Sequence, residues 1–360
     1  MRNDGLSRGS FTLPGEAGWE QLTKELAEKW GADTIRDSDG TRLSDDLLTS
    51  GFDIYSTLCL VRADNAWARA NPDKLQQNFL MSRPVVARGP TVRIDLLDGY
   101  FRDQFVVDLE DDHREFWQVF DRTTGREVPA SRWSLDAGSG AVTVSRATPW
   151  HRYTVNFLVF RIWEEISMYN HLTNDWGDRE RLAAVEPRHP ETQAHLLEVL
   201  ERWLEARPAT KVVRFTSLFY NFAWYWGDRP QRRTVYSDWG SYDFTVNPVA
   251  LRAFEKARGY RMSSEDFVNG GLYNATHNVP SARCRDWMAF THGFVVEFGK
   301  KCVDLVHRHG RKAFLFYDDH WVGTEPYGGR FAGLGLDGIL KCAFNRVEAR
   351  LCAGGPGGAT

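Results

Sequence analysis

Charged side chains that follow apolar, strand-like segments are the residues of this sequence best placed to do chemistry. In folds that alternate strands and helices, reactive groups lie at the carboxyl ends of the strands. For any single position, a solvated or ion-paired strand end is about as good an interpretation. If all of these residues lie together at one end of the predicted strands, a functional site is the better interpretation. The set consists of Arg36, Asp37, Asn174, Asp175, Arg214, Asp318 and Asp319.

The pair Asp318-Asp319 supplies the best candidate for a general acid. Alternation along a strand sends the two carboxyl groups to opposite faces, so only one can face the site. Aromatic residues flank the pair on both sides, and a carboxyl group desolvated by such neighbours has a raised pKa. The pattern alone leaves open which aspartate faces inward.

The arginines of the set point to an anionic substrate, because a guanidinium group binds phosphate through two parallel hydrogen bonds. Hydrolysis of a glycoside needs two carboxyl groups. Glu325 is the nearest second carboxylate, but it lies in a loop between Gly and Pro residues. If phosphate itself attacks the sugar, one acid suffices. The set therefore favours phosphorolysis of a glycoside, with hydrolysis as the rival.

Composition excludes several other classes of protein. A net charge of −3 offers no basic surface for nucleic acid, and no apolar run is long enough to span a membrane. The N-terminus lacks the apolar core of a signal peptide, so we expect a cytoplasmic protein. The five cysteines form no CxxC pair, and His171, Asp175 and His320 lack HxH or HExxH spacing, which disfavours a metal site. The 14 tryptophans slightly favour a carbohydrate ligand.

The segments that must position the candidate residues alternate between helical and strand-like periodicity. Alternating helices and apolar strands predict a parallel α/β sheet covered by helices, and a (β/α) TIM-like barrel is preferred to a doubly wound sheet. No GxGxxG turn follows any strand, which disfavours a dinucleotide fold. Strands are predicted at 33–36, 54–61, 153–163, 211–218, 313–317 and 336–340, and helices at 17–30, 195–204, 248–258 and 282–309.

Residues 91–150 interrupt this alternation with short strands around tight turns, which predicts a β-rich insertion. We therefore assign residues 1–350 to the barrel, with the insertion inside it, and residues 351–360 to a Gly-rich tail. Because the pattern stops without a closing helix, we expect a barrel that is incomplete at its C-terminus.

Several longer segments resemble the galacto-N-biose/lacto-N-biose phosphorylases, the 1,3-β-galactosyl-N-acetylhexosamine phosphorylases of glycoside hydrolase family 112. The resemblance extends from Phe11 to about Arg350. The segments are WGADTIRDSDGT (30–41), MYNHLTNDWGD (168–178), VRFT (213–216), EDFVNGG (265–271) and GTEPY (323–327).

This resemblance implies inverting phosphorolysis of a β-galactoside disaccharide to α-D-galactose 1-phosphate and a free N-acetylhexosamine. Inorganic phosphate is then the co-substrate, and no metal or organic cofactor is expected. By the same resemblance, Asp319 matches the proton donor and Arg214 a phosphate-binding residue. Arg36, Asn174 and Asp175 match substrate contacts.

Members of the family are considerably longer and carry further phosphate-site residues beyond the matching region. We therefore expect this chain alone to be inactive or nearly so. Some similar members use L-rhamnose as acceptor, so a β-galactosyl-L-rhamnose phosphorylase stays an alternative, as does a non-catalytic galactoside-binding fragment. A homo-oligomer of the full-length protein is also left open.

Overall fold

The structure is a computed structural model. It describes residues 11–37, 42–162, 180–216, 218–220, 223–229, 234–238, 245–273, 279–316, 333–340 and 346. The described residues form two compact units. One comprises residues 1–63, 193–219 and 292–360, and the other residues 64–192 and 220–291.

The strands and helices of the described part of the chain are numbered along the sequence. The strands are β1 (Thr12–Pro14), β2 (Thr34–Arg36), β3 (Asp53–Leu58), β4 (Gln77–Met81), β5 (Val85–Val86), β6 (Thr91–Asp95), β7 (Phe105–Val107), β8 (Gln118–Asp121), β9 (Arg126–Val128), β10 (Trp133–Asp136), β11 (Ala141–Ser145), β12 (Arg152–Arg161), β13 (Thr210–Phe215), β14 (Ala223–Trp226), β15 (Thr234–Asp238), β16 (Lys312–Phe316) and β17 (Gly338–Leu340). The α-helices are α1 (Glu20–Trp30), α2 (Asp45–Leu48), α3 (Asn65–Ala70), α4 (Pro190–Glu205), α5 (Pro248–Arg258), α6 (Glu265–Val268) and α7 (Ala282–Arg308). Single turns of 3-10 helix cover Leu60–Arg62, Pro72–Lys74, Arg102–Gln104, Arg114–Phe116, Ala130–Arg132 and Asn269–Gly271.

The first unit contains a six-stranded sheet in which all neighbours are parallel. Its strand order is β1-β2-β3-β13-β16-β17, which is also the order of these strands along the chain. A doubly wound sheet reverses its strand order at a switch point. The observed order, without reversal among these six strands, is the one that a (β/α) barrel requires.

Most of the predicted strands of this sheet are confirmed, as are the predicted helices of both units, and the residues that end them act as expected. Gly31 closes α1 in the left-handed region with φ 72°. Asn247 caps α5 by accepting a hydrogen bond from the backbone N–H of Ala250 at 2.7 Å, and Gly259 ends it with φ 76°. The short edge strand β1 is an element that the periodicity did not predict.

The second unit is built on antiparallel strands. One sheet has the order β4-β12-β8-β9, and β5 and β7 also pair with β12. A second sheet has the order β10-β11-β6, and β14 pairs with β15 as a separate ribbon. The side chains of Val155, Phe157 and Leu158 in β12 are fully buried and lie in the main hydrophobic core of this unit.

The prediction that residues 153–163 form a barrel strand is wrong. The corresponding strand, β12, is antiparallel to all four of its partners: β4, β5, β7 and β8. Nearly every one of its side chains is buried, so exposed polar residues do not alternate with apolar ones. The apolar run 157–160 is also typical of a parallel barrel strand. Antiparallel strands accordingly begin before residue 91 and continue beyond residue 150. The predicted tail, residues 351–360, lies outside the described residues.

None of the helices in the described ranges is both long enough and apolar enough to cross a lipid bilayer.

Candidate functional site

The parallel sheet of the first unit carries two arginines on the same face. Arg36 in β2 pairs with Tyr55 in β3, and Arg214 in β13 pairs with Phe314 in β16. Tyr55 pairs in turn with Val212, two residues before Arg214. Because side chains two apart in a strand share a face, these residues point to the same side. We call this side, defined by Arg36, Tyr55, Arg214 and Phe314, the arginine face.

Aromatic rings support the guanidinium groups on the arginine face. The guanidinium carbon of Arg214 lies 4.7 Å from the centre of the Phe316 ring, a cation–π distance. The rings of Tyr55 and Phe314 meet edge to face, with centroids 6.0 Å apart and an interplanar angle of 88°. A side chain at Gly338, the partner of Phe314, would lie 2.8 Å from that ring, so the glycine makes room for it.

The two arginine charges are not neutralised by acidic residues of the described ranges. Arg36 donates one hydrogen bond through Nη1, at 3.2 Å, to the backbone carbonyl oxygen of Asp37. Within those ranges neither Arg36 nor Arg214 forms an ion pair with a carboxylate. Two cations that share one sheet face without a counter-ion attract an anion.

Tyr55 lies between the two charges. Its side chain is 3% exposed, and its hydroxyl group lies close to the Arg214 guanidinium without a well-formed hydrogen bond to the described part of the chain. Burial raises the pKa of this phenol well above its ordinary value, against the opposing effect of the Arg214 and Arg36 charges. The phenol is therefore protonated near neutral pH and can act as a hydrogen-bond donor.

Asp37 lies on the opposite face, although it is adjacent to Arg36 in the chain. Its neighbour on that side, Ile35, packs with Leu47 of α2. The carboxyl group is 4% exposed and accepts a hydrogen bond from the backbone N–H of Thr57 at 2.6 Å. Burial raises its pKa to about 6, and the hydrogen bond from Thr57 limits the rise. Asp37 is therefore a buried structural carboxyl group, separated from the arginine face by the sheet.

The structure thus brings together two of the five predicted site residues, Arg36 and Arg214. The other three, Asp319, Asn174 and Asp175, lie outside the described residues. Tyr55 also lies on the arginine face and was not among the residues predicted from the sequence. The periodicity of β3 gave no signal for it, because Ser56 and Thr57 follow Tyr55 without alternation between polar and apolar residues. Within the described ranges, no group of three or more His, Cys, Asp or Glu residues could hold a metal ion.

Comparison with known protein families identifies the family to which this barrel belongs. Residues 9–359 match the family described as the lacto-N-biose phosphorylase N-terminal TIM barrel domain. The chain belongs to this family. The predicted TIM-like barrel is thereby confirmed, and the uninterrupted parallel order of the six strands agrees with it.

Curated relatives of this phosphorylase family match nearly the whole chain. A D-galactosyl-β-1→4-L-rhamnose phosphorylase from Lachnoclostridium phytofermentans is 52% identical over 97% of this chain and 48% of its own length. A 1,3-β-galactosyl-N-acetylhexosamine phosphorylase from Bifidobacterium longum subsp. longum is 42% identical over 98% of this chain and 46% of its own length. The chain spans about half the length of these relatives.

The buried carboxyl group of Asp37 gives a prediction for the pH dependence of stability. Its folded-state pKa, about 6, lies above the ordinary value of 3.8, so protonation favours the folded state. The stabilising contribution is fully present below the ordinary pKa and is lost as the pH rises through about 6. The unfolding free energy of the unmodified protein should fall between about pH 4 and about pH 7. The fall should exceed that of the Asp37→Asn variant by an amount on the order of 3 kcal/mol.

Chemical denaturation at a series of pH values measures this difference. Asp53→Asn, at an exposed carboxyl group at the start of β3, is the matched control for the removal of one carboxylate from this sheet. A constant difference in unfolding free energy between the protein and Asp37→Asn across that range would contradict the assignment.

Proposed function

We propose that this chain supplies the barrel of an inverting phosphorylase. The enzyme cleaves a β-galactoside with inorganic phosphate and gives α-D-galactose 1-phosphate and a free acceptor sugar. The observation that carries the proposal is the pair Arg36 and Arg214, two cations on one sheet face with no carboxylate of the described residues between them. A hydrolase that activates water has no need of such a pair.

The proposed reaction needs one proton donor and one bound anion. A phosphate oxygen held by Arg214 attacks the anomeric carbon of galactose from the face opposite the leaving group, and the glycosidic C–O bond breaks. Asp319 donates its proton to the departing oxygen, which becomes a hydroxyl group of the acceptor. The configuration at the anomeric carbon inverts, because a single displacement occurs. Phosphate is the proposed co-substrate, and the proposal uses no metal or organic cofactor.

The remaining predicted residues hold the sugar in this proposal. Arg36, Asn174 and Asp175 bind the galactoside so that its anomeric carbon faces the phosphate. Arg36 lies next to Tyr55 in the sheet, on the side of β3 away from Arg214, so a sugar bound there would lie beside the anion. Such positioning lowers the barrier of the chemical step, because the entropy of bringing the two reactants together is already lost on binding.

The acceptor sugar has two candidates. An N-acetylhexosamine follows from the family resemblance of the sequence and from the B. longum relative at 42% identity. L-Rhamnose is the second candidate and is supported by the higher identity, 52%, to a galactosyl-rhamnose phosphorylase.

A phosphorolysis assay tests the reaction. The chain is assayed alone and joined to the C-terminal half of its 52% identical relative, with and without phosphate. We expect galactose 1-phosphate from the joined protein only when phosphate is present, and little turnover from the chain alone. Asp319→Asn should lower the rate of the joined protein by roughly 10²–10⁴-fold, because the proton donor is lost. Asp318→Asn, one position earlier, is the matched control and should lower it much less.

Two outcomes would contradict the proposal. Release of free galactose without phosphate would identify a hydrolase, which needs a second carboxylate. Absence of any product from the joined protein, combined with normal galactoside binding, would identify a binding module.

The reverse reaction distinguishes the acceptors. The joined protein is supplied with α-galactose 1-phosphate and either L-rhamnose or N-acetylglucosamine, and phosphate release is measured. If the identity to the rhamnose enzyme reflects the acceptor, release with L-rhamnose should exceed release with N-acetylglucosamine by at least about tenfold, a difference of about 1.4 kcal/mol in transition-state binding. Equal rates with the two sugars would contradict a rhamnose-specific site.

A further inference from the structure

Three buried polar groups of the parallel sheet make no well-formed hydrogen bond with the described part of the chain, although the first of them lies close to the Arg214 guanidinium. They are the hydroxyl group of Tyr55, Nε of Arg214 and the hydroxyl group of Thr216. All three belong to the first unit, and Thr216 is the residue that follows the last residue of β13. Buried polar groups in native proteins are almost always hydrogen-bonded, because an unpaired one loses its hydration without compensation. Three such groups, in or directly after the neighbouring strands β3 and β13, therefore indicate that a bound ligand is their hydrogen-bond partner.

The chemistry of the cluster indicates which ligand it takes. Arg214 offers only donors, and the two hydroxyl groups can each donate one hydrogen. The raised pKa of Tyr55 keeps its phenol in the donor form. The second cation, Arg36, pairs with Tyr55 in the sheet and carries no ion pair with the described residues. A cluster of donors next to two positive charges fits an oxyanion with several acceptor oxygens.

We propose that Tyr55 is a positioning residue of the phosphate site, whose hydroxyl group donates a hydrogen bond to a phosphate oxygen held by Arg214. This inference rests on the proposed use of phosphate as co-substrate and adds a residue that the sequence did not indicate. Tyr55 is well suited to fix the anion, because its ring is held edge to face against Phe314 and its side chain is 3% exposed. A rigid neutral donor orients the phosphate without adding a third positive charge.

Tyr55→Phe tests this role because it removes only the hydroxyl oxygen. Titration of the joined protein with inorganic phosphate in a calorimeter should show affinity weakened by about tenfold to about a hundredfold, the range for losing a hydrogen bond to a charged group. Arg214→Gln should abolish phosphate binding in the same titration. Galactose affinity should be unchanged in Tyr55→Phe.

Thermal stability provides a second readout that a purely structural role would not reproduce. Without phosphate, Tyr55→Phe should melt at about the same temperature, because the lost hydroxyl group makes no well-formed hydrogen bond. With saturating phosphate, the unmodified protein should gain more in melting temperature than the variant. Tyr153→Phe is the matched control: Tyr153 is 2% exposed, but its hydroxyl group accepts a hydrogen bond from the backbone N–H of Thr148 at 2.8 Å. That variant should melt lower and bind phosphate normally.

The outcomes separate this inference from the proposed function. Unchanged phosphate affinity in Tyr55→Phe, while Arg214→Gln loses it, overturns the role of Tyr55 and leaves phosphorolysis standing. Weaker galactose binding by Tyr55→Phe, with unchanged phosphate affinity, also overturns the role of Tyr55 and leaves phosphorolysis standing. Phosphate binding that depends on Tyr55, without formation of galactose 1-phosphate by the joined protein, supports the site and overturns the phosphorylase. No phosphate binding by the unmodified joined protein at millimolar concentration overturns the role of Tyr55 as well.

Discussion

The pairing of β2, β3, β13 and β16 in parallel register is the constraint on which the candidate site depends. This register places Arg36 beside Tyr55, and Arg214 beside Phe314, on one face of the sheet. Two positive charges on one face of a sheet repel, and partial burial of each adds a further cost. The sheet can hold them because backbone hydrogen bonds fix the strands and aromatic rings cover the guanidinium of Arg214 and the phenol of Tyr55. An anion bound there removes the repulsion.

The two faces of the parallel sheet have different roles. On one face, Ile35, Val213 and Leu315 are fully buried, and Ile35 packs with helix α2. The buried carboxyl group of Asp37 belongs to this face and reaches the backbone of Thr57, which ties the end of β2 to β3. Alternation along the strand then sends Arg36 to the other face. The end of β2 thus supplies both a structural link, Asp37, and a residue of the arginine face, Arg36. The two side chains lie on opposite faces of the sheet.

Sequence reasoning was most successful where local physical rules dominate. Gly31 and Gly259 end their helices in the left-handed conformation that glycine tolerates best, and Asn247 caps α5 as its side chain allows. Arg36 and Arg214 could be identified because charge at the end of an apolar strand is unusual. The strand β12 was misassigned because burial on both faces removes the alternation that would distinguish an antiparallel strand.

Tyr55 was missed for a related reason. A tyrosine within an apolar strand reads as part of the core, and only the register with β2 and β13 shows that it lies between two arginines. That register depends on residues far apart in sequence, which no local pattern encodes.

Diffraction from crystals soaked in arsenate, an anomalous scatterer with the shape of phosphate, tests the central claim most directly. The account predicts an anomalous peak on the arginine face, within hydrogen-bond distance of the Arg214 guanidinium and of the Tyr55 hydroxyl group. A structure in which arsenate binds elsewhere, with Arg214 paired to a carboxylate of the chain, would contradict it.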